Sequence, residues 1–518
     1  MTCATERSVR FRLDRIGGER HLDGSTGLGS QPDWRPGDDL TRLEETMVAG
    51  AASGELVDCG EGPFSLAEMQ AWEADRTLRA AVLRHLLITG EWPVDAKGVR
   101  LRGARIGGLL DLEAAAVRCP LALEECYLDA DEPARLDHAS ASRVTLAKCH
   151  LAGLSGQMLT ARQLDLRGST LTHRLYLPNA DITSGLDCTG AQLTGVDSDG
   201  NALFADGLKT GGAVFLRGGF TAAGTVSLSS ARVGASVYLT PTALAIDGKV
   251  ALNAAGAQIV GTLRWAPASA VSGQVNLEGA TAGRLDDDWS SGRPNGYWPT
   301  GGRLRLDGFT YDRFGGAQRA TANQRLAWIR SQYQANAADS QAEFATQPYE
   351  QLTAVYQQAG QDTEARKVAI ARRADLRKYG DLNSYRRVGN WFLGWSIGYG
   401  YKTWRAGLVL VGVFAAVVVL SFFAQQHHLM VPVGDTDGLR FVPSATRCTS
   451  SYPCFSPVGY AVDTVIPVVN VHQADNWGPD AHTTLGHAWA AGTRFATVLG
   501  WALATLLVAG FTGIVRRD

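Results

Sequence analysis

The chain has 518 residues, enough for several domains, and its 45% hydrophobic content is too high for a disordered protein. Its 49 basic and 51 acidic side chains leave a formal charge of −2, which argues against a nucleic-acid-binding protein with a basic surface. Glycine is in excess, at 59 residues against 18 prolines, which indicates many tight turns.

The N-terminal hundred residues divide into two parts. Residues 1–39 are polar and glycine-rich, so we expect a disordered segment, and they contain no apolar stretch typical of a signal peptide. Residues 40–98 are predicted to form a helical cap. Within it, residues 65–90 carry apolar side chains at helical spacing and predict one helix, with a buried stripe formed by Leu78, Val82, Leu83 and Leu86.

A short pattern of apolar, any and apolar residue recurs throughout residues 99–312. Its copies mostly begin about 11 to 13 residues apart, and the longer gaps, roughly twice that length, indicate one degenerate copy between two clear ones. The copies are residues 110–112, 121–123, 144–146, 164–166, 175–177, 186–188, 214–216, 226–228, 237–239, 250–252, 263–265, 275–277 and 304–306.

This pattern predicts a mainly β fold. A triplet with apolar ends has the two-residue period of a strand, and two triplets per turn give a coil of about 22 residues. We therefore expect a right-handed β-helix, or pentapeptide-like solenoid, whose small residues Ala180, Ala191, Ala231 and Ala280 occupy tight corners. A β-sandwich fits less well because its strands are longer and less evenly spaced.

Residues 313–380 are predicted to form a helical C-terminal cap. A helix over residues 320–332 is followed by a hairpin of helices over 349–358 and 363–378, similar to one tetratricopeptide unit. Just before this cap, Asp286, Asp287 and Asp288 are interpreted as a solvated loop.

Two uncharged stretches predict a transmembrane module. Residues 406–424 and 495–515 are 19 and 21 residues long, enough to cross a hydrocarbon layer of about 30 Å. The alternative is a pair of buried core helices.

The basic residues indicate the orientation of this module. Residues 361–405 contain 10 basic and 4 acidic side chains, whereas residues 425–493 contain 2 arginines and 5 aspartates. We therefore expect a multi-pass protein of the cytoplasmic membrane, with the solenoid and the tail 516–518 cytoplasmic and the loop 425–494 extracytoplasmic. Arg494, at the entrance to the second span, is the exception.

Residues 381–405 are predicted to lie at the membrane interface. Residues 396–400, SIGYG, are similar to a potassium-channel selectivity filter, but they precede the first span, where aromatic and basic residues are typical anchors. The predicted anchors are Trp391, Trp395, Tyr399, Tyr401, Lys402, Trp404 and Arg405.

The external loop contains three candidate features. Cys448 and Cys454 predict a small disulfide loop, with two free thiols as the alternative. Residues 457–472, which include Asp463 and Pro467, are apolar but too short to span, so they lie on the membrane or re-enter it. A re-entrant segment between two spans would suit an oligomeric pore. The histidines of this region, His427, His428, His472, His482 and His487, match no compact zinc motif.

Five segments together resemble a family of actinobacterial membrane proteins with β-helix-like repeats and two C-terminal spans, often catalogued as membrane-associated oxidoreductases. They are RTLRAAVLRHLLITGEWPVDAKGVRLRGARIGGLLDLEAA, PYEQLTAVYQQAGQDTEARKVAIARR, GWSIGYGYKTWRA, YAVDTVIPVVNV and GWALATLLVAGFTGIVRR. The resemblance implies this architecture and a redox activity, but it brings no catalytic residue to any position of this chain.

The functional expectation is a membrane-anchored β-helix scaffold of the bacterial inner membrane. No nucleotide, hydrolase or metalloprotease motif is present, so no catalytic residue, cofactor or metal ligand is assigned, and an enzyme is not favoured. The expected partners are the lipid bilayer and a protein, or a second copy bound through the β-helix, with no nucleic acid. The alternatives are a membrane-associated oxidoreductase and an oligomeric two-span pore.

Overall fold

A computed structural model describes residues 34–60, 62–244, 250–290, 294–316, 320–333, 344–380, 404–433, 452–466, 469–480 and 482–511. Most of the predicted disordered segment 1–39 therefore lies outside the described residues.

Three helices precede the repeats: α1 (Arg42–Ser53), α2 (Leu66–Gln70) and α3 (Ala80–Ile88). Thr41 and Glu44 form a capping box at the start of α1, which satisfies amides that would otherwise lack partners. The prediction of one helix over residues 65–90 is wrong. The chain leaves α2, makes a 3₁₀ turn at Ala74–Arg76, and then forms strand Thr77–Arg79, because that strand pairs with Arg105–Gly107 of the first coil. All four residues of the predicted stripe are nevertheless buried.

The repeats form a parallel β-solenoid of about eight coils, built from three sheets. The long sheet contains Val57–Asp58, Val99–Arg102, Leu121–Glu124, Ser140–Ala147, Thr160–Asp165, Asp181–Ile182, Gly185–Asp187, Lys209–Thr210, Ala213–Leu216, Arg232–Val233, Val237–Leu239, Gln258–Trp265, Thr281–Asp287 and Thr310–Tyr311. The second sheet contains Ala134–Arg135, Leu154–Ser155, Leu175–Tyr176, Asn201–Phe204, Thr225–Ser227, Val250–Asn253, Gln274–Asn276 and Leu304–Arg305. The third contains Thr77–Arg79, Arg105–Gly107, Tyr127–Asp129, His150–Leu151, Thr170–Leu171, Gln192–Leu193, Thr221–Ala222 and Ala243–Leu244.

The coil length agrees with the repeat period. Thr170 pairs with Gln192, 22 positions later, whereas the coil from His150 to Thr170 is shorter and the coil from Gln192 to Thr221 is longer. A coil of two triplets is confirmed, because the triplets belong to two different sheets. Those beginning at Leu164 and Leu186 pair in the long sheet, whereas the one beginning at Leu175 lies in the second sheet.

The degenerate copies are also found. Each of the four long gaps contains one residue that pairs in a sheet as the first residue of a triplet does. These residues are Ala134, Leu154, Leu203 and Leu285. One triplet is wrongly placed: a register shift after Val250 puts Leu252, not Val250, opposite Val226 and Val275. The inward pair in that coil is therefore Leu252 and Ala254, both buried.

One corner of the coil contains a column of residues in the left-handed conformation. Each time the chain passes this corner, one residue has φ between +53° and +71°: Ala114, His138, Met158, Asn179, Gly207, Ser230, Gly256, Gly279 and Gly308. The predicted small corner residues, Ala180, Ala191, Ala231 and Ala280, are all at most 1% exposed, so the corners are as tight as expected.

The C-terminal cap consists of α4 (Ala322–Arg330), a 3₁₀ turn at Ser331–Tyr333, α5 (Gln347–Gln358) and α6 (Asp362–Tyr379), as predicted within a few residues. Three glutamines of the cap form hydrogen bonds with backbone groups of the last coil. Gln332 accepts a hydrogen bond from the Leu306 N–H, Gln347 accepts one from Gly308, and Gln351 donates to the Tyr311 carbonyl. The cap thus covers strand edges that would otherwise be open to pairing.

The C-terminal region contains two long helices, α7 (Trp404–Gln426) and α10 (Thr484–Phe511), with the short helices α8 (Pro457–Val465) and α9 (Gln473–Asn476) between them. Strands Met430–Pro432 and Trp477–Pro479 pair antiparallel. Among the described residues, one helix is long and apolar enough to cross a membrane. It is Gly407–Gln426, with a mean hydropathy of 2.7 and 17% of its apolar window buried. The second predicted span ends outside the described residues.

Candidate interaction surface and C-terminal helices

Two aromatic–arginine clusters lie on the outer surface of the solenoid. In the first, Tyr176 and Phe204 are stacked with ring centroids 5.4 Å apart, and the Arg174 guanidinium lies 4.1 Å from the Tyr176 centroid. In the second, Phe215 and Tyr238 are stacked at 5.1 Å, and the Arg217 guanidinium lies 4.2 Å from the Phe215 centroid.

The ladder itself brings these rings together. Tyr176 pairs in register with Phe204, and Phe215 with Tyr238, so rings one coil apart in sequence lie one strand spacing apart in space. All four are the middle residues of triplets or the equivalent outward positions, and they remain partly exposed. Aromatic middle residues are visible in the sequence pattern, but their stacking depends on the register between coils, which the pattern alone does not give.

The first cluster is held by a buried carboxylate. Asp197, whose side chain is 5% exposed, lies 3.4 Å from the Arg174 Nη1. Burial opposes ionisation of Asp197, but hydrogen bonds from Asn201 and Asp199 and the charge of Arg174 outweigh it and hold the pKa below its ordinary value. Arg174 is therefore held against the ring, as a preformed contact residue for a partner would be.

The aspartates predicted as a solvated loop are placed differently. Asp286 and Asp287 belong to strand Thr281–Asp287, and Asp287 is 1% exposed. Asp287 accepts hydrogen bonds from both Nη atoms of Arg325 and from the Trp298 indole, and the guanidinium lies 4.1 Å from the Phe314 centroid. This buried ion pair joins α4 to the last coils, so the loop interpretation is wrong for these two residues.

The solenoid thiols are not arranged for thiol chemistry. Cys119, Cys126, Cys149 and Cys188 are buried, and Cys59 is partly buried. Burial raises the pKa values of the Cys149 and Cys188 thiols well above the usual range for cysteine. It also raises the pKa of Cys59 to about 11. Because the thiolate is the reactive form, these environments favour a packing role.

The two long helices expose large apolar side chains. On α7 these include Leu408, Val411 and Val419, and on α10 they include Phe495, Val498 and Trp501. A groove of about 430 Å³ between the two helices is lined almost wholly by apolar side chains, with Thr493 as an exception. Apolar surface of this extent is typical of a contact with another protein or with a membrane.

Helix α8 packs against both long helices. Ala461 and Val465 form a core cluster with Val417 of α7 and Ala496 of α10. A Cβ added to Gly500 would collide with the Val465 carbonyl, so the end of α8 touches the middle of α10 directly.

Asp463, a predicted site residue, holds the chain that returns from α8. Its two carboxylate oxygens accept hydrogen bonds from the backbone N–H groups of Val471, Gln473 and Ala474, at 2.6 to 3.0 Å. It therefore fixes the turn into α9, where His472 has a left-handed φ of +60°.

The other predicted site residues are only partly covered by the structure. Trp404 and Arg405 are the first residues of α7, and Cys454 takes part in a disulfide. Six residues lie outside the described residues: Trp391, Trp395, Tyr399, Tyr401, Lys402 and Pro467. So does Cys448, and its pairing with Cys454 stays a prediction. Within the described ranges, no group of three or more His, Cys, Asp and Glu side chains could hold a metal ion.

No family model, curated protein or solved structure matches this chain. The resemblance to actinobacterial membrane proteins therefore stays an expectation from the sequence.

Proposed function

We propose that this chain is a membrane-anchored β-solenoid scaffold of a bacterial inner membrane. In this proposal α7 and α10 span the membrane, the solenoid lies in the cytoplasm, and its coils are right-handed, as nearly all parallel crossovers are. The pentapeptide-like description is supported by one coil, from His150 to Thr170, whose advance along the chain is a multiple of five positions, although no strict five-residue period holds.

One observation carries the scaffold function: the two aromatic–arginine clusters on the outer surface. Tyr, Phe and Arg are enriched in protein interfaces, and here the ladder holds them in fixed positions. A rigid surface loses little conformational entropy on binding, so we propose a protein partner for these clusters.

Site-specific photocrosslinking in cells tests this function. A photoreactive amino acid at Tyr176 or Tyr238 is expected to give a discrete adduct. The same residue at Gln192, an exposed position of the third sheet, is expected to give none. Equal adducts at all three positions, or no adduct at either tyrosine, would contradict the proposal.

A pore is a second candidate, favoured by the packing of α8. The helix contacts Val417 and Gly500, near the middles of α7 and α10, so it would enter the membrane and return from it. Ion flux into liposomes is expected to fall for Asp463→Ala, which loosens the returning turn. It should persist for Asp475→Ala, at an exposed residue of α9. Unchanged flux in both variants, or none in the wild type, would count against conduction.

The redox activity implied by the family resemblance receives less support. It would need reactive thiols or a bound redox group, and the thiols of the solenoid are buried with raised pKa values.

A further inference from the structure

Two opposite charges in the helical region have no charged partner within the described chain. Arg494 is exposed on α10 and forms no ion pair or hydrogen bond with a side chain there. Asp463 accepts hydrogen bonds from three backbone amides but forms no ion pair with any described residue.

Arg494 lies beside the apolar span, not at its entrance. The packing of α7 against α10 is antiparallel: Gly407 lies near Leu507, Val417 shares a core with Ala496, and Trp489 donates a hydrogen bond to the Met430 sulfur. Gly407–Gln426 therefore runs alongside α10 from Leu507 to about Trp489. Arg494 lies five residues inside that outer limit, about 8 Å at 1.5 Å per residue.

Asp463 lies at a similar depth. Two residues of α8 show its level against α10: the Tyr460 hydroxyl lies beside the Thr493 side chain, and the Val465 carbonyl touches Gly500. Asp463 comes between these two residues of α8, and Arg494 comes between the two contacted residues of α10. The two charges are thus within about one helical turn of each other along the membrane normal.

The exposed position of Arg494 directs it away from its own chain. Thr493, Ala496 and Gly500 form the buried stripe of α10, and a rotation of about 100° per residue places Arg494 well outside that stripe. At about 100° per residue it lies on the side of α10 opposite the middle of the groove formed with α7. A neighbouring α8 could therefore approach it.

We propose that a second copy of this chain supplies Asp463 to Arg494. Unpaired charges at membrane depth are strongly disfavoured and are typically neutralised by each other. The ion pair is absent within one chain and forms only between two copies. Because the two charges are opposite and lie at a similar depth, the partner is a second copy of this chain. This inference rests on the proposed membrane placement of α7 and α10, but it does not require conduction.

Crosslinking between two differently tagged copies tests the pair. One copy carries Arg494→Cys and the other carries Asp463→Cys, both in full-length chains in vesicles, and oxidation is followed by detection of both tags in one band. Cys119, Cys126, Cys149 and Cys188 are buried and Cys454 is already in a disulfide, and Cys3 and Cys59 are replaced by Ser in both copies to keep the background low. Phe495→Cys, at nearly the same depth on an adjacent face, replaces Arg494→Cys in the control.

We expect at least about fivefold more two-tag product with Arg494→Cys than with Phe495→Cys. Equal or absent product would overturn the pair. Because Asp463→Cys could disturb the turn that Asp463 holds, the subunit number in nanodiscs is measured separately, for the wild type and for Arg494→Gln. A multi-copy wild type that dissociates in this variant supports the proposal, and a single-copy wild type overturns it.

Two further outcomes identify what failed. A single-copy wild type that binds anionic vesicles more tightly than Arg494→Gln would show that Arg494 binds lipid phosphates instead. Release of the wild-type chain from membranes by alkaline carbonate would overturn the membrane placement together with this pair. A retained chain without crosslinks would overturn only the pair.

Discussion

At the scale of single residues, the interior of the solenoid contains polar interactions that compensate for their burial. The clearest is the ion pair between Asp287 and Arg325, both 1% exposed. Burial by itself lowers the pKa of Arg325, but the negative charge and hydrogen bonds of Asp287 have a larger effect. The pKa of Arg325 is therefore raised above its ordinary value. Such a pair adds little net stability over an apolar replacement, but removal of one partner is severe because the other charge is left buried.

The variant Asp287→Asn is therefore expected to lose about 3–5 kcal/mol of unfolding free energy. Urea unfolding of the full-length chain in detergent, followed by circular dichroism, measures this loss. The matched control is Glu364→Gln, which breaks the exposed pair with Lys367 and should cost less than about 1 kcal/mol. Equal losses in the two variants would contradict the assignment.

Glu44 predicts how the N-terminal cap responds to acid. Burial opposes its ionisation, but hydrogen bonds from Arg79 and from the Thr41 backbone outweigh burial, so its pKa is lowered from 4.5. The stability from this group is complete above pH 4.5 and is lost as the pH falls through the lowered folded-state pKa.

We expect Glu44→Gln to reduce the loss of stability between neutral pH and about pH 3, measured by urea unfolding at several pH values. Glu45→Gln, at an exposed position of the same turn, is the control. The assignment fails if Glu44→Gln keeps the full acid dependence of the wild type.

At the scale of elements, the strands and the small residues of the tight corners were predictable, but the left-handed backbone of one corner was not. The triplets beginning at Leu164 and Leu186 carry the two-residue period of buried strands, and hydrophobic burial places them without further information. The left-handed corner is hidden because non-glycine residues such as Met158 and Ser230 occupy it as well as glycines. The outward clusters were missed for a different reason: stacking of Tyr176 on Phe204 depends on register, which requires knowledge of every coil length.

The same limits apply to the helical elements. The hairpin α5–α6 was predicted from helical periodicity alone, whereas the broken helix after α2 depends on a distant strand, Arg105–Gly107. The three backbone hydrogen bonds of Asp463 were not predicted, and its place in a pore stays a prediction. The depth of Arg494 requires the packing of α7 against α10.

Contact between α8 and α10 gives a prediction about two glycines of one helix. Gly500→Ala is expected to lower the melting temperature in detergent by several degrees, because its Cβ would collide with Val465. Gly492→Ala has no atom within 4 Å of the added Cβ and should leave the melting temperature unchanged or raise it slightly. Equal melting temperatures for the two variants would contradict the close packing of α8.

At the scale of the whole molecule, the proposed topology separates the solenoid from the external loop. Cysteines introduced at Met158 on the solenoid and at Thr483 before α10 both occupy exposed positions. In intact cells a membrane-impermeant maleimide should label Thr483→Cys and not Met158→Cys, and permeabilised cells should show both. Labelling of Met158→Cys in intact cells would reverse the orientation.

The column of left-handed corners has a consequence for how such a chain can change in evolution. One inserted residue within a strand turns the later side chains of that strand to the opposite face, whereas duplication or deletion of a complete coil preserves all remaining pairs. Insertions between strands are absorbed, since the coils already range from the short advance of His150 to Thr170 to the long advance of Gln192 to Thr221. Homologous chains should therefore differ in length by whole coils or by the loops between strands. The number of coils, and with it the reach of the solenoid, can change without redesign of the two caps.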